Sequence, residues 1–535
     1  MGANKYVLAA CLAAMGAATP TWPSPLVAPT IALVGDSITA YGNVQTAVAS
    51  GTTITSDGAG NLTATVSNQA YGNPEVYLNN LNNSAYELAG RNTYNASSIS
   101  IAEAGLAAGT TTAGTFGAMT LWDRFTGRGI FLNLKSLFQG GIEFGGNYGH
   151  GGQLASAMSA QLAYALSRSP SMVILMTGTN DIHNGGVSAA TVWSSINALI
   201  QQCITAGVPV VVCAVTPVGT AFTGSAYATV NGTGANGIQT LNALIKAGCA
   251  STPTKTVYAD TFTPMYDPVN LCAYPHYVIS DGLHPTAAGA IIMATAVQTA
   301  MSAWVTAPVL LPTSATDTGS VNGHAKFLLK GPWVTTNGGI FATGVTASTG
   351  AGSVGQLNYL PPSSGGLASS GGLPPGWEGL RGVGSPTATC SIFDPNDGKG
   401  CKVQLIVQPA AANDSVSVAP IWNGTLTSLG LVQGDEICFA AEVDWSNANN
   451  SGLGAVSLTL QSNSSGAYGQ ATAGETTEAT GVLPDSMTGR ILVTGWLKIN
   501  NASLTQLQVF VNGAFSSAGA SPGVINARRF TIFKR

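Results

Sequence analysis

Four short motifs, in a fixed order along the chain, supply the residue types that acyl transfer needs. Gly35-Asp36-Ser37-Ile38-Thr39 follows the apolar run Ile31–Val34. Asn147-Tyr148-Gly149-His150-Gly151-Gly152 comes second, and Gly178-Thr179-Asn180-Asp181 comes third, after Met172–Met176. Asp281-Gly282-Leu283-His284-Pro285 is last. A serine hydroxyl is a poor nucleophile at neutral pH and needs a base within hydrogen-bond reach. His284 is the candidate base for Ser37. Asp281, three residues earlier, would accept the other imidazole N–H, fix the tautomer and stabilise the imidazolium that forms. Taken singly, each motif has a plainer reading: a polar turn ending a strand, a loop, a helix cap with a surface histidine. The joint order, with strand-like runs before the first and third motifs, carries the chemistry.

The set resembles the SGNH (GDSL-type) hydrolases, a family of esterases, lipases and carbohydrate O-deacetylases. The resemblance covers roughly residues 28–305. It implies a three-layer α/β fold with a flavodoxin-like parallel sheet, Ser37, Asp281 and His284 as catalytic residues, and no cofactor and no metal. It also implies an oxyanion hole formed by the backbone N–H of Ser37, the backbone N–H of Gly152 and the side-chain amide of Asn180. Glycine at 152 lets a backbone N–H approach substrate with no Cβ in the way. Gly151 is the alternative donor; Gly152 is preferred because it lies five residues after Asn147, as in family members whose second block begins with asparagine. Asn180 has an alternative as a turn residue. His150 and His183 also lie next to motifs, either as loop histidines lining the cleft or as direct participants.

These residues need a sheet to hold them. Residues 28–305 alternate between strand-like and helix-like patterns. Gln153–Arg168 carries Leu154, Met158, Leu162 and Leu166 at a spacing of four, a helical stripe. Met172–Met176 and Val208–Val215 read as buried strands, and Val257–Asp260 as a short one. Val192–Ala206, closed by Gly207, Ile238–Ala247 and Thr286–Met301 read as helices. Such alternation argues for a parallel sheet flanked by helices, with ligands at the carboxyl ends of the strands. One departure from the family is the 114 residues between Ser37 and Gly152. The excess falls in 48–114, rich in Thr, Asn, Gly and Ala, and reads as a small β-insert. It either stands near the cleft and shapes substrate access or decorates the domain away from it. Ser84–Gly90 resembles small β-modules of phage tail proteins.

The chain has 535 residues, enough for two or three domains. Charged residues make up 8% and the net charge is −4, which leaves no basic stripe for a nucleic acid. Of the eight cysteines none forms a Cys-x-x-Cys pair, which removes the usual zinc and redox motifs. Cys203 and Cys213 read as small core residues. Cys390 and Cys401 flank a short turn and would bridge in an oxidising compartment. Residues 1–27 hold Lys5 and then an apolar stretch from Tyr6 to Ala18, read either as a secretory signal or as a packed helix. Leu8-Ala9-Ala10-Cys11 looks like a lipobox, but the apolar region before it is too short. No run of about 20 apolar residues appears, so no membrane span is expected.

After Trp304 the character changes. Residues 306–322 read as a Pro-, Thr- and Ser-rich linker. Residues 323–535 hold short alternating segments between Gly-, Asn- and Ser-rich turns: Val403–Val407, Ile437–Trp445, Val456–Leu460, Ile491–Ile499, Leu507–Val511 and Phe530–Phe533. This predicts an all-β, jelly-roll-like sandwich with an excursion at 361–376. It resembles carbohydrate-binding sandwiches and the C-terminal modules of phage tail proteins. Trp445 and Trp496 fit core positions. Trp333, Trp377 and Trp422 are candidates for sugar stacking, Trp377 the best of them.

The leading expectation is a serine esterase that removes ester groups, most plausibly O-acetyl, from a polysaccharide held partly by the sandwich. A polar, low-charge accessory module suits glycans better than lipid, and no long apolar lid is visible. The expected partners are an acylated polysaccharide or a small ester, with homo-oligomer or virion assembly left open. A second reading is a virion structural or receptor-binding protein of a phage tail that carries this domain. A third is a secreted short-chain esterase. Each places the protein outside the cell, on a virion or secreted.

Overall fold

The computed structural model describes residues 29–40, 129–139, 141–183 and 186–305, the strands between 53 and 122, Leu311, the strands between 320 and 383, and most of 386–534. At its centre five parallel strands lie in the order Thr256–Ala259, Val210–Cys213, Met172–Met176, Thr30–Gly35, Glu143–Gly149. Numbered along the chain, this is the 5-4-3-1-2 order of a flavodoxin-like sheet, with its switch point between Thr30–Gly35 and Met172–Met176. The strands are apolar on both faces because both faces are covered; every residue of Met172–Met176 is buried.

The helices form two layers. Ala189–Thr205 buries Ala189, Val192, Ile196, Leu199, Ile200 and Cys203, a stripe at spacings of three and four. Its first turn is capped by Ser188, whose hydroxyl accepts from the Thr191 N–H at 3.3 Å. It packs against Ile238–Ser251 and Ser159–Ser167, while Ile130–Leu137 packs against Ala287–Met301. The helix expected over 153–168 is broken instead: Ala155–Ala157 is a separate 3-10 turn before Ser159–Ser167. Asp181 Oδ2 accepts the Ala155 N–H at 2.9 Å and so caps the start of that turn. Cys203, Cys213 and Cys249 are buried free thiols of this core. Burial pushes the first two up to about 12 and the third to about 11, which leaves them unreactive.

The insert is larger than 48–114 and is joined to the main sheet. Ala85–Arg91 pairs antiparallel with Glu143–Gly149, with Tyr86 opposite Asn147. Glu75–Asn80, Met119–Trp122 and Thr115–Phe116 then continue the sheet outward. The unpaired edge of Glu143–Gly149 is thereby covered. The other insert strands, Ser98–Ala102, Asn61–Thr65, Thr53–Ser56 and Gly109–Thr112, form a four-stranded antiparallel sheet.

Beyond residue 320 the chain is mostly antiparallel β-sheet. One sheet runs from Ser320–Val321 through Ala325–Leu329, Gly523–Lys534, Lys402–Gln408 and Thr387–Phe393 to Ala368–Gly371; Glu436–Ser446 also pairs with Gly523–Lys534 and adds Ser486–Val493 and Leu497–Lys498. The other holds Trp377–Val383, Ser415–Asn423, Gln506–Phe515, Leu453–Ser464 and Ala467–Thr476. Side chains alternate between core and surface, as in Lys402–Gln408, where Val403, Leu405 and Val407 are buried. Ala368–Gly371 lies inside the stretch expected to be an excursion; it is a strand, paired parallel with Thr387–Cys390. Trp445 is buried and donates its Nε1–H to the Pro484 carbonyl. Trp496, Cys11, Cys401 and residues 1–27 lie outside the described residues, as do the side chains of Trp333, Trp377, Trp422 and Cys390.

The composition of 306–322 suggests a loose tether, yet the parts on either side of it touch. Arg490 of the sandwich donates to Asn133 of the helix Ile130–Leu137, and both residues are buried. Leu311 is buried, and its carbonyl accepts from Arg529 at 3.1 Å. Among the described residues no helix is long and apolar enough to cross a membrane.

Candidate active site

Ser37 opens a one-turn helix, Ser37–Ala40, directly after the first parallel strand. The turn is tight. A Cβ on Gly35 would stand 2.1 Å from both the Met176 carbonyl oxygen and the Thr39 hydroxyl, so only glycine lets the neighbouring strand ends approach. Asp36 N–H donates to the Met176 carbonyl at 3.3 Å, and Thr39 Oγ1 donates to the same oxygen at 3.4 Å. These bonds tie the first motif to the strand that leads into the third.

The second motif is tied to the first from the other side. Asn147 Nδ2 donates to the Thr39 carbonyl at 2.8 Å, while its Oδ1 accepts the Gly149 N–H at 2.9 Å. His150 N–H donates to the Gly35 carbonyl at 3.0 Å, and Gln161 Nε2 reaches that carbonyl at 3.1 Å. The chain then turns through Gly151 and Gly152. A Cβ on Gly151 would lie 4.0 Å from the Ser37 Cβ, which puts this turn against the candidate nucleophile. Gly152 has φ +75°, a left-handed backbone that favours glycine, with open space where a side chain would be. Both glycines therefore sit in the turn that passes Ser37.

Asn180 lies in the short buried helix Thr179–His183, after the strand Met172–Met176. Its Nδ2 donates to the Gln153 carbonyl at 3.1 Å, so its amide lies beside the residue that follows Gly152. Ser37, Gly151, Gly152 and Asn180 thus converge around the switch point of the sheet, where such folds bind ligands.

Asp281 and His284 form the fourth part. Their side chains meet, Nδ1 to Oδ2, at 2.6 Å. Asp281 Oδ1 also accepts the Leu283 and His284 N–H groups at 2.8 and 3.0 Å. Burial works to raise the Asp281 carboxyl; the His284 ring and the two amides outweigh it and hold the group below its ordinary value, as a carboxylate. The loop reaches the sheet edge through its neighbours. Gly219 N–H donates to the Gly282 carbonyl at 2.7 Å, and Gly219 follows the strand Val210–Cys213. Two buried asparagines fix that connection: Asn242 exchanges two hydrogen bonds with Val215, and Asn231 does the same with Val218. The contacts of Ser37's motif run to the second and third motifs; those of the Asp281–His284 loop run to Gly219, in the segment after Val210–Cys213.

His150 is an exposed loop residue. His183 is not in a loop: it ends the Thr179–His183 helix with its ring edge-on to Phe222, centroids 4.8 Å apart. Burial pulls it down to about 4, so it is neutral at ordinary pH. Asp36 moves the other way. Burial raises its carboxyl to about 7, against the hydrogen bond from the Ile38 N–H and with the help of the nearby Asp181 charge.

The positioning residues Asn147, Gln161, Asn231 and Asn242 are not marked in the sequence, apart from Asn147's place at the head of its motif. Buried amides of this kind look like ordinary helix or loop polar residues until their backbone partners are known. Among the described residues no group of three or more His, Cys, Asp or Glu converges as a metal site.

A sheet of this order, with the first three motifs at the carboxyl ends of its strands, agrees with a family-level match. Residues 31–297 match the model of the GDSL-like lipase/acylhydrolase family. This stretch is a GDSL-like lipase/acylhydrolase domain. The family is one of hydrolases that act on esters. Several solved structures are similar to the GDSL-like domain. A GDSL-like lipase from Bacteroides thetaiotaomicron is 22% identical, over 32% of this chain and 82% of that one, with a TM-score of 0.26. A G-D-S-L family lipolytic protein from Veillonella parvula is 20% identical, over 33% and 88%, with a TM-score of 0.27. A catalytic mutant of an acetylxylan esterase from Geobacillus stearothermophilus is 15% identical, over 52% and 97%, with a TM-score of 0.31. At such identities and TM-scores these likenesses determine neither substrate nor mechanism. No curated protein matches the chain.

Proposed function

We infer that the GDSL-like domain is a serine esterase that removes O-acyl groups, chiefly acetyl, from a polysaccharide. The observation that carries this reading is the Asp281–His284 pair, whose side chains meet at 2.6 Å. In the reaction, Ser37 Oγ attacks the ester carbonyl carbon as His284 Nε2 takes its proton. Asp281 holds the ring in the required tautomer and offsets the imidazolium charge. The carbonyl oxygen becomes an oxyanion facing the Ser37 and Gly152 N–H groups and the Asn180 amide. The tetrahedral intermediate collapses, the bond to the sugar oxygen breaks, and His284 returns the proton to that oxygen. Water, deprotonated by the same imidazole, then attacks the acyl-serine; the bond to Ser37 Oγ breaks, His284 returns the proton to that oxygen, and the carboxylic acid is released.

The preference for a glycan rests on the setting. The domain carries a β-insert that extends its sheet beside Asn147 and a sandwich of low charge. We assign the sandwich to holding the polymer. The test is acetate release from a panel of O-acetylated bacterial and plant polysaccharides. The wild-type protein should release acetate from at least one of them and Ser37→Ala from none. Release by Ser37→Ala at the wild-type rate would remove the serine from the mechanism. Cleavage of aryl acetates with no release from any polymer would leave a short-chain esterase.

A further inference from the structure

Between the GDSL-like domain and the sandwich lies a cleft of about 520 Å³, within the range of roughly 300–1,000 Å³ typical of ligand pockets. His276, Tyr277 and Thr286 line it from the first; Asn449, Asp485 and Met487 line it from the second. The His276 and Tyr277 rings lie 4.0 Å apart between centroids, and Tyr274 stands 5.6 Å from His276, so one side of the cleft is bordered by an aromatic cluster. The opposite wall brings a carboxylate and an amide. A pyranose ring has an apolar C–H face and an edge of hydroxyls, and this lining offers a surface for each.

Both walls are held in place. Thr286 N–H donates to the Tyr277 carbonyl at 3.0 Å, and the Thr286 hydroxyl donates to the His276 carbonyl at 2.7 Å. Across the cleft, Trp445 Nε1 holds the Pro484 carbonyl at 2.9 Å, and Asp485 Oδ1 accepts the Asn449 N–H at 3.1 Å. The strand that begins at Ser486 also carries Arg490, whose buried bond to Asn133 joins the two parts. A site built before its ligand arrives avoids part of the ordering cost of binding.

The cleft is next to the catalytic loop. Val278 and Pro285 form a bridge between antiparallel segments, and both are buried. Tyr277 and Ile279 flank Val278, His284 and Thr286 flank Pro285, and all four are partly exposed. Tyr277 and Thr286, which line the cleft, are joined to each other by the bond from the Thr286 N–H to the Tyr277 carbonyl, and Thr286 stands two residues after His284.

We propose that this cleft is a glycan subsite, which binds the sugar residues adjoining the one whose ester is cleaved, with the sandwich as one of its walls. The proposal rests on the esterase reading above and adds to it a place for the neighbouring sugars. Met487→Trp fills the cleft and Asp485→Ala removes a polar contact from its exposed wall. The substrates are 4-nitrophenyl acetate and a panel of O-acetylated tetrasaccharides of xylose, glucose, N-acetylglucosamine and galacturonic acid. Thermal unfolding checks that each variant is folded. Each substitution should raise KM for the best tetrasaccharide at least tenfold more than KM for the aryl ester. In a Ser37→Ala background each should weaken calorimetric binding of that tetrasaccharide by a similar factor. Equal effects on both substrates, or wild-type cleavage of the aryl ester with neither binding nor cleavage of any tetrasaccharide, would overturn the subsite and leave the esterase standing. A wild-type protein that cleaves neither ester would overturn the esterase reading and the subsite with it.

Discussion

Asn147 Nδ2 donates to the carbonyl of Thr39 at 2.8 Å, across 108 residues of chain. This bond holds the turn carrying Gly151 and Gly152 to the turn carrying Ser37, and it does so from a buried side chain. Most of the chain between the two is the insert, whose strand Ala85–Arg91 meets Glu143–Gly149 at Asn147 itself. The insert therefore bears on the geometry of the site through one residue.

Asn147→Ala leaves the Thr39 carbonyl and the Gly149 N–H without their partner. An unsatisfied buried group costs about 1–3 kcal/mol, so a corresponding loss of stability is expected in urea unfolding. Because Asn147 acts by positioning, kcat on an aryl acetate should fall while KM changes little. Asn147→Asp, which keeps one acceptor, should recover part of the stability. A variant with wild-type kcat would show that the second motif needs no such tie.

His284→Ala should be nearly as damaging as loss of the serine, on the order of 10⁴–10⁶ in kcat, because the members of a triad act as a unit. Asp281→Asn should cost about 10⁴, since it leaves the geometry in place and favours the wrong tautomer. Asp281 also bears on stability. Its folded value lies below its unfolded one, so its contribution is present above the unfolded value, near pH 4, and is lost as pH falls through the folded value. The acid limb of thermal stability should therefore be shallower in Asp281→Asn. Full activity in either variant would remove the pair from the reaction.

Asp36 has the opposite sign. Its folded value of about 7 lies above the ordinary carboxylate value, so between pH 4 and 7 the folded state holds a proton that the unfolded state has lost. Stability should fall as pH rises across that window, by up to about 1.4 kcal/mol per pH unit from this group alone. Asp36→Asn removes that slope. Unfolding free energies of the two proteins should converge near pH 4 relative to their separation at pH 8. Parallel profiles over the whole range would mean that Asp36 ionises normally.

The sandwich depends on a buried ion cluster. Glu442 Oε1 accepts from Arg528 at 2.5 Å, its Oε2 accepts from Arg529 at 2.9 Å, and Arg528 also meets Asp397 at 2.8 Å. Loss of Glu442 would leave Arg528 with Asp397 and Arg529 with the Leu311 carbonyl; removing one partner of a buried pair costs about 3–5 kcal/mol. Glu442→Ala should lower stability by roughly that amount, whereas aryl acetate turnover by the folded fraction should be retained. A change under 1 kcal/mol would show that Arg528 relaxes into solvent.

The catalytic candidates could be named from the sequence because chemistry restricts residue type. Ser37, Asp281 and His284 stand in short motifs, and apolar runs before Gly35 and Gly178 mark the strands that present them. The order of the parallel strands agrees with what the resemblance implied. Boundaries were harder to read: local spacing predicts 153–168 as one helix, whereas the chain forms the turn Ala155–Ala157, its start capped by the distant Asp181, and then Ser159–Ser167. The insert's union with the main sheet is a pairing of backbones, Tyr86 with Asn147, and backbone pairing leaves little trace in composition. The bond from Arg490 to Asn133 has no local signature either, so the low-complexity stretch before the sandwich suggested a looser arrangement. Asn231 and Asn242 could not be told from surface amides, because their partners are carbonyls and amides of a loop.

Covalent labelling tests whether Ser37 is the nucleophile. The purified protein is treated with a fluorophosphonate that phosphonylates activated serines, and intact mass, peptide mapping and residual aryl acetate hydrolysis are followed together. One adduct per chain is expected, located at Ser37, forming at the rate at which activity disappears, and none in His284→Ala over the same period. An active protein that loses hydrolysis while the label sits on another residue, or that remains unlabelled under conditions where it turns over substrate, would contradict it.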